Sequence, residues 1–333
     1  MPMGEKPIVA VTGGGGFTGS ALVGRLLAEG YRVKALVRET SQLKPDENLE
    51  IIVGRLEDVG ALGRLVAGVD TVFHIAAMFR TEGSLDEFLK VNYDGTLALL
   101  EQAKAAGVRR FVYCSTIGVH GSVSDIPSDE ESPFGPMDYY QETKLKAELA
   151  CRAPGAAEGI EMVVIRPCSI YGPGDVRLLK MFRMVQKGVF LFVGDGRPNF
   201  HPVYIDDLVE GFMLAMTTPQ AAGEVFIIGA QDYVPLREFV GTAARTVGSD
   251  PPKRHIPFGI MDVAARICEA VFIPLGISPP LHRRRLSFFS SNRSFSIEKA
   301  RRMLGYQPKV DLAEGFKRTV QWYYDQGLLT PKQ

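Results

Sequence analysis

Tyr140 and Lys144 are the pair in this chain best suited to moving a proton. They fall in a stretch from Met137 to Ala150 that reads as a helix. Four helical residues turn through roughly 400°, so the two side chains share a face. An ammonium beside a phenol favours the phenolate and is expected to lower a pKa that is ordinarily about 10. Tyr140 is then usable as an acid or base near neutral pH, whereas the adjacent Tyr139 has no lysine at that spacing. The bland alternative is a surface Tyr/Lys pair. Position decides against it, because the pair follows a strand end with two hydroxyls, Ser115 and Thr116, and a glycine-rich turn.

That turn ends the run Val9-Ala10-Val11-Thr12-Gly13-Gly14-Gly15-Gly16-Phe17-Thr18-Gly19. Gly13, Gly16 and Gly19 have the spacing that serves a tight turn, backbone approach to a pyrophosphate and close packing of helix on strand. The N-terminus of the following helix, read from Ser20 to Glu29, offers unpaired N–H groups and a positive dipole end to phosphates. A second strand follows at Tyr31 to Val37. This is the context of a dinucleotide site.

The elements that must hold these residues alternate through the first half. Strands are expected at Ile8–Val11, Val33–Val37, Ile51–Val53, Thr71–Ala77, Arg110–Cys114 and Met162–Ile165, with helices at Ala21–Leu27, Asp58–Val66 and Leu85–Ala106. Continuous apolar strands joined by helices predict an α/β fold, a Rossmann-type doubly wound parallel sheet. Gly13, Ala76, Ser115 and Arg166 should then converge outside the carboxyl ends of the strands. After Tyr171-Gly172-Pro173-Gly174 the pattern loosens into a smaller, mostly helical lid, with helices at Leu178–Lys187, Asp206–Met216, Leu236–Val247, Met261–Val271 and Leu312–Tyr324. The division is residues 1–170 for the dinucleotide and 171–333 for the substrate. Val203–Met216 and Val225–Ile228 are expected to return to the first part. The apolar stretch Ile256–Phe272 reads as lid-domain core ahead of a pocket wall or a membrane contact.

The totals narrow the class. Lys+Arg and Asp+Glu both number 38 in 333 residues, which gives no reason to expect a nucleic-acid partner. Four cysteines without a C-x-x-C pair argue against a disulfide framework or a zinc site. The first strand begins too early for a signal peptide, and Asp262, Arg266, Glu269 and several prolines interrupt the apolar segment Ile256–Leu281. A cytoplasmic protein without an integral membrane segment or a metal is expected. His282-Arg283-Arg284-Arg285 reads as a solvated face rather than a phosphate clamp.

Further motifs stand in order along the chain: Phe73-His74-Ile75-Ala76-Ala77, Val91-Asn92-x-x-Gly95-Thr96, Val112-Tyr113-Cys114-Ser115-Thr116, Arg166-Pro167, Ile170-Tyr171-Gly172-Pro173-Gly174-Asp175, Val203-Tyr204-Ile205-Asp206-Asp207 and Leu304-Gly305-Tyr306-x-Pro308. With the glycine turn and Tyr140-x-x-x-Lys144 they resemble the extended short-chain dehydrogenase/reductases, the epimerase/dehydratase and hydroxysteroid-dehydrogenase group. The resemblance implies that Tyr140 is the general acid/base, that Lys144 holds the nicotinamide ribose, and that Thr116 binds the reacting oxygen, with Ser115 one residue away as the alternative. It implies a cofactor lined by Gly13, Gly16, Phe17, Thr18, Gly19, Arg38, Leu56, Ala76, Ala77, Pro167 and Cys168. Phe79, Ser115, His120, Ser169 and His201 would lie toward the substrate. Asn92 would be catalytic or would tie its helix to a neighbouring strand. Asp206 would cap a helix, and a homodimer would form through the helices at Leu85–Ala106 and Met137–Ala150.

Departures from the group's pattern bear on specificity. Val37 stands where NAD-preferring relatives carry an acid, and Arg38 with Thr40 and Ser41 suits a 2′-phosphate, so NADP is expected ahead of NAD. Arg55 replaces an aspartate that faces the adenine. Ser169 and Phe200 replace an asparagine and an arginine that contact sugar-nucleotide phosphates. The expected reaction is hydride transfer between NAD(P) and a secondary alcohol or ketone of a bulky small-molecule substrate. The alternative is a nucleotide-sugar epimerase or dehydratase that recycles bound NAD(P).

Overall fold

Strands that are apolar on both faces need cover on both, and in the computed structural model the runs of the first half pair side by side. Residues 6–38, 43–79, 83–275, 279–281 and 283–332 are described. β1 (Ile8–Thr12), β2 (Arg32–Val37), β3 (Leu49–Val53), β4 (Thr71–His74), β5 (Arg110–Cys114), β6 (Glu161–Pro167) and β7 (Val225–Ile228) make one sheet in the order β7-β6-β5-β4-β1-β2-β3. Every pairing is parallel. The order reverses between β1 and β4, which is where a doubly wound sheet opens its crevice.

Alternation along each strand feeds two cores. Val9 and Val11 of β1 pack on the side of α1 (Phe17–Ala28), while Ala10 packs on the side of α2 (Val59–Val66). Asp58 caps α2 by accepting the Ala61 N–H, so it is a structural acid. The expected strand Thr71–Ala77 stops at His74. Thr12 Oγ1 accepts the N–H groups of Ile75 and Ala76, both at 3.1 Å, and draws them off the ladder.

The expected helix Leu85–Ala106 is three pieces: α3 (Leu85–Leu89), a π-helical turn Lys90–Asp94, and α4 (Gly95–Ala105). Ser84 and Glu87 form a capping box at its start. The wide turn places Asn92 inward, and a side chain at Gly95 would run into Leu56. α5 (Tyr139–Arg152) begins where Asp138 accepts the Gln141 N–H.

The second half adds α6 (Leu179–Gln186), α7 (Ile205–Thr217), α8 (Leu236–Thr246), α9 (Phe258–Phe272), α10 (Arg283–Ser290), α11 (Glu298–Leu304) and α12 (Leu312–Asp325). α7 covers the sheet, with the Phe212 ring edge-on to Phe73 at 5.9 Å and Glu210 paired to Arg25 of α1 at 2.8 Å. Asp206 does not cap α7, which has no side-chain cap. Its neighbour Asp207 is the structural acid: buried, it accepts the N–H groups of Lys309 at 2.8 Å and Val310 at 3.1 Å.

The stretch Ile256–Phe272 is not core. Among the described residues Ala265 is the one buried position of α9, while Ile260, Val263, Ile267 and Val271 are exposed.

Asp207→Ala leaves two backbone donors without their acceptor, so a destabilisation of about 1–3 kcal/mol is expected. It would be read as a lower urea midpoint with an unchanged m-value. Asp207→Asn, which keeps an acceptor, should recover part of the loss.

Candidate active site

The glycine turn is shaped by what cannot fit in it. Gly13 has φ +70, and a Cβ there would meet the Ala76 backbone at 3.0 Å. A Cβ on Gly19 would land on the Gly13 carbonyl oxygen. The N-cap of α1 is Gly16, and no side chain caps it. The first-turn N–H groups at Phe17, Thr18 and Gly19 therefore have no side-chain acceptor, the arrangement that receives phosphate oxygens.

A chain of hydrogen bonds runs from this turn to α5. Because Thr12 Oγ1 already accepts two N–H groups, its proton goes to His74 Nδ1 at 2.8 Å. The Thr96 hydroxyl donates to the Asn92 carbonyl at 2.7 Å, so His74 Nε2–H donates to Thr96 Oγ1 at 2.8 Å. His74 is thereby a fixed neutral tautomer, and burial lowers its pKa. Asn92 accepts the Met78 N–H at 2.7 Å and donates to the Met78 carbonyl and to Thr143 of α5. All its donors are used on these bonds, which tie the π-helical turn to the Met78 backbone and to α5 rather than to a strand.

On α5, Tyr140, Lys144 and Glu148 follow one another at successive turns. Glu148 and Arg166 are both fully buried and pair at 2.5 Å, with a second contact from Arg166 Nε at 3.2 Å. The Ser115 hydroxyl donates to the same carboxylate at 2.6 Å. Arg166 Nη1 donates to the Glu130 carbonyl at 2.8 Å and to His120 Nε2 at 3.0 Å, so His120 Nδ1–H donates to the Pro133 carbonyl. Ser115 and His120, expected toward the substrate, are both buried and engaged in this network. Sequence reasoning missed Glu148, although an acid four residues beyond Lys144 on the same face was the available signal.

Thr116 is placed differently. It is half-buried, and its Oγ1 accepts the Gly118 N–H at 3.0 Å as the cap of a short 3-10 turn, Ile117–His120. Accepting that bond leaves the hydroxyl proton available to an oxygen outside the protein. Lys144 is buried with its ammonium 4.0 Å above the Tyr113 ring, and among the described residues it has no hydrogen-bond acceptor. Burial depresses its pKa to about 8.

The expected lowering of the Tyr140 pKa is not what the surroundings produce. Burial pushes the phenol up, Cys114 and Asp138 add to the rise, and Arg177 opposes it. The ammonium sits on the Tyr113 ring, so desolvation dominates at Tyr140.

Phe79, largely exposed, stands edge-on to Tyr140 with ring centroids 4.7 Å apart. The Arg177 guanidinium lies 5.6 Å from the Phe17 ring and 5.9 Å from the Phe79 ring, and the buried Asp175 holds it at 2.8 and 3.1 Å. The mouth of the site thus joins Phe17 of the glycine turn to Phe79, Tyr140 and Arg177. Arg177 was not expected from the sequence.

The remaining expected residues are spread more widely. Leu56 is buried, Ala76 and Ala77 are half-buried beyond β4, and Pro167 ends β6. Cys168 is buried, its sulfur and the His201 ring both beside Gly229, and burial raises its pKa. His201 donates from Nε2 to the Ala230 carbonyl at 3.0 Å, while its buried Nδ1 has no partner among the described residues. Ser169 is half-buried in a short strand, Ser169–Tyr171, that pairs with Pro202–Tyr204. Phe200 packs on Phe239 at 4.3 Å and Phe288 at 5.6 Å. Arg38 and Arg55 are exposed, while Thr40, Ser41 and His282 lie outside the described residues.

Residues 9–229 match the model of the NAD dependent epimerase/dehydratase family. The chain belongs to that family. It is an NAD(P)-dependent dehydrogenase/reductase or epimerase of the extended short-chain dehydrogenase type. It is 32% identical to the 3 beta-hydroxysteroid dehydrogenase/Delta 5-->4-isomerase of Mycobacterium tuberculosis, over 95% of this chain and 90% of that one. It is 33% identical to the 2-alkyl-3-oxoalkanoate reductase of Stenotrophomonas maltophilia, over 93% and 97%. Its structure resembles that of DesIV, a dTDP-glucose 4,6-dehydratase from Streptomyces venezuelae solved with NAD, with a TM-score of 0.79 and 29% identity over 97% and 99% of the two chains. The family's dinucleotide fits the observed site: an uncapped helix start beyond the glycine turn, and a buried ammonium with no acceptor beside it.

Two variants test this geometry. Lys144 binds its proton more weakly folded than unfolded, where the pKa is about 10.4, so the buried charge costs stability below pH 8 and the cost fades from pH 8 to about 10.4. Lys144→Met should therefore melt higher than the parent at pH 7, with the difference shrinking as the pH rises through that window. A variant that melts lower at pH 7 would contradict the account. Ser115→Ala removes a donor from Glu148 and should lower stability by about 1–3 kcal/mol with turnover largely kept.

Proposed function

We propose that this enzyme transfers hydride between a nicotinamide dinucleotide and the secondary alcohol or ketone carbon of a bulky, weakly polar substrate, with Tyr140 as general acid/base. One observation carries the reading. The Tyr140 phenol, its proton firmly held by burial, stands against Phe79, which Arg177 links to Phe17 of the glycine turn, on the same helix face as an ammonium without an acceptor. In reduction the phenol gives its proton to the carbonyl oxygen as charge develops there, and in oxidation it takes the proton back. The free proton of Thr116 steadies that oxygen, and Lys144 would bond the nicotinamide ribose hydroxyls. The dinucleotide, when bound, supplies or accepts the hydride.

The apolar rings at the mouth and the packed aromatic at Phe200 support a bulky weakly polar substrate, in line with the steroid dehydrogenase and oxoalkanoate reductase among the relatives. A second reading, a nucleotide-sugar epimerase or dehydratase with retained cofactor, is favoured by the likeness to DesIV. For the cofactor we propose NADP ahead of NAD, on exposed Arg38 at the end of β2. The next residue, Glu39, is the acid that would instead suit a ribose 2′-OH. A homodimer would use the hollow between α3 and α5 lined by Leu89, Tyr93, Lys146 and Leu149, in a reducing cytoplasm where the cysteines stay unpaired.

Purified protein should consume NADPH with bulky ketones, and Tyr140→Phe should cut turnover by at least about 100-fold, with Thr116→Val losing a comparable factor. Arg38→Ala should raise the KM for NADPH and leave that for NADH unchanged. Stoichiometric cofactor released on denaturation, with no net NADPH consumption, would move the assignment to the second reading. Full turnover by Tyr140→Phe would end both.

A further inference from the structure

α9 presents an apolar surface that no described residue covers. Ile260 (61% exposed), Val263 (56%), Ile267 (60%) and Val271 (52%) recur three and four residues apart and so form one stripe, with Leu275 (65%) following. Ala265 is the helix's buried contact, in a small cluster with Val193 and Leu286. Val189 and Leu191 are also exposed, and the strand after them, Phe192–Val193, pairs with His255–Ile256 just before α9. Apolar residues scattered singly need no partner, but a contiguous stripe marks an interaction site. A helix of 15 residues is also marginal in water without packing on its apolar side.

Charge selects the occupant. Between Pro251 and Ser290 there are six lysines and arginines against two acids, although the whole chain is balanced. Lys253, Arg254 and His255 are exposed where the chain enters α9. Arg283, Arg284 and Arg285 open α10, which packs beside α9. A second copy of this chain would bring two surfaces of like charge together. An anionic bilayer meets both features, with acyl chains for the stripe and headgroups for the exposed Lys253 and Arg254. No described helix is long and apolar enough to cross a membrane, so α9 would lie in the interface plane.

We propose that α9 docks this enzyme on anionic lipid surfaces. The proposal is independent of the substrate reading. The test pellets the full chain with phosphatidylcholine vesicles, with and without about one-third phosphatidylglycerol. Binding to the anionic vesicles that weakens with added salt is expected. Val263→Asp combined with Ile267→Asp should lower the bound fraction at least about ten-fold, with melting temperature and cofactor binding unchanged. The proposal fails if neither vesicle pellets the protein, if neutral and anionic vesicles bind it equally, or if the double variant binds as the parent does. It fails equally if the parent is a dimer that the double variant splits, since the stripe then belongs to a second copy.

Discussion

One buried ion pair fixes where α5 stands against the sheet. Glu148 and Arg166 are both removed from water, an unfavourable placement for two charges unless their hydrogen bonds are nearly all made. Here they are: Ser115, His120 and the Glu130 carbonyl complete the set. The Glu130 side chain in turn accepts the Ile227 N–H of β7 at 2.8 Å. The network therefore spans the ends of β5, β6 and β7 and grips α5 by a single carboxylate. Lys144 and Tyr140 lie one and two turns back along the same stripe, so their height above the crevice is set by Glu148. Losing either partner strands a charge in the interior, which typically costs about 3–5 kcal/mol.

A second, uncharged anchor works from the other side of the crevice. The chain Thr12–His74–Thr96–Asn92–Thr143 begins where β1 becomes the glycine turn and ends inside α5. Its direction is fixed because every hydroxyl has its proton committed. Burial lowers the pKa of both His74 and His120, with Lys144 adding to the fall at His74 and Arg166 at His120, so both imidazoles favour the neutral form. The glycine turn and α5 are thus positioned against each other by groups whose hydrogen bonds are made within the protein.

The sheet was legible because long apolar runs and a glycine turn depend on local pattern alone. So was the shared face of Tyr140 and Lys144, which needs only the helical repeat. The limits are tertiary. Ser115 and Thr116 are adjacent hydroxyls at one strand end, and an extended backbone sends neighbours to opposite sides. Which one turns inward depends on a carboxylate 33 residues away. The π-helical turn at Asn92 arises from the Met78 backbone, and the early end of β4 from Thr12, neither of which lies within its own segment. α9 shows the converse failure. Its composition is that of a core helix, and composition does not say whether the apolar side meets protein or something else.

The phenol shows most clearly how burial can reverse a rule drawn from spacing. Two groups on one helix face share an electrostatic environment only if both reach the same point. Lys144 instead folds back over Tyr113, where a ring face partly replaces the water it has lost. Tyr140, half-buried against the Phe79 ring, has its pKa raised by burial, and Arg177 at the mouth is the cation that opposes this. In the proposed role of Tyr140, an acid held this way would protonate an oxygen that is gaining negative charge. To act as a base it needs positive charge brought into the crevice. Under the proposed role such a site would favour the reductive half of the chemistry, and the rise itself comes from desolvation around one hydroxyl rather than from the lysine four residues away.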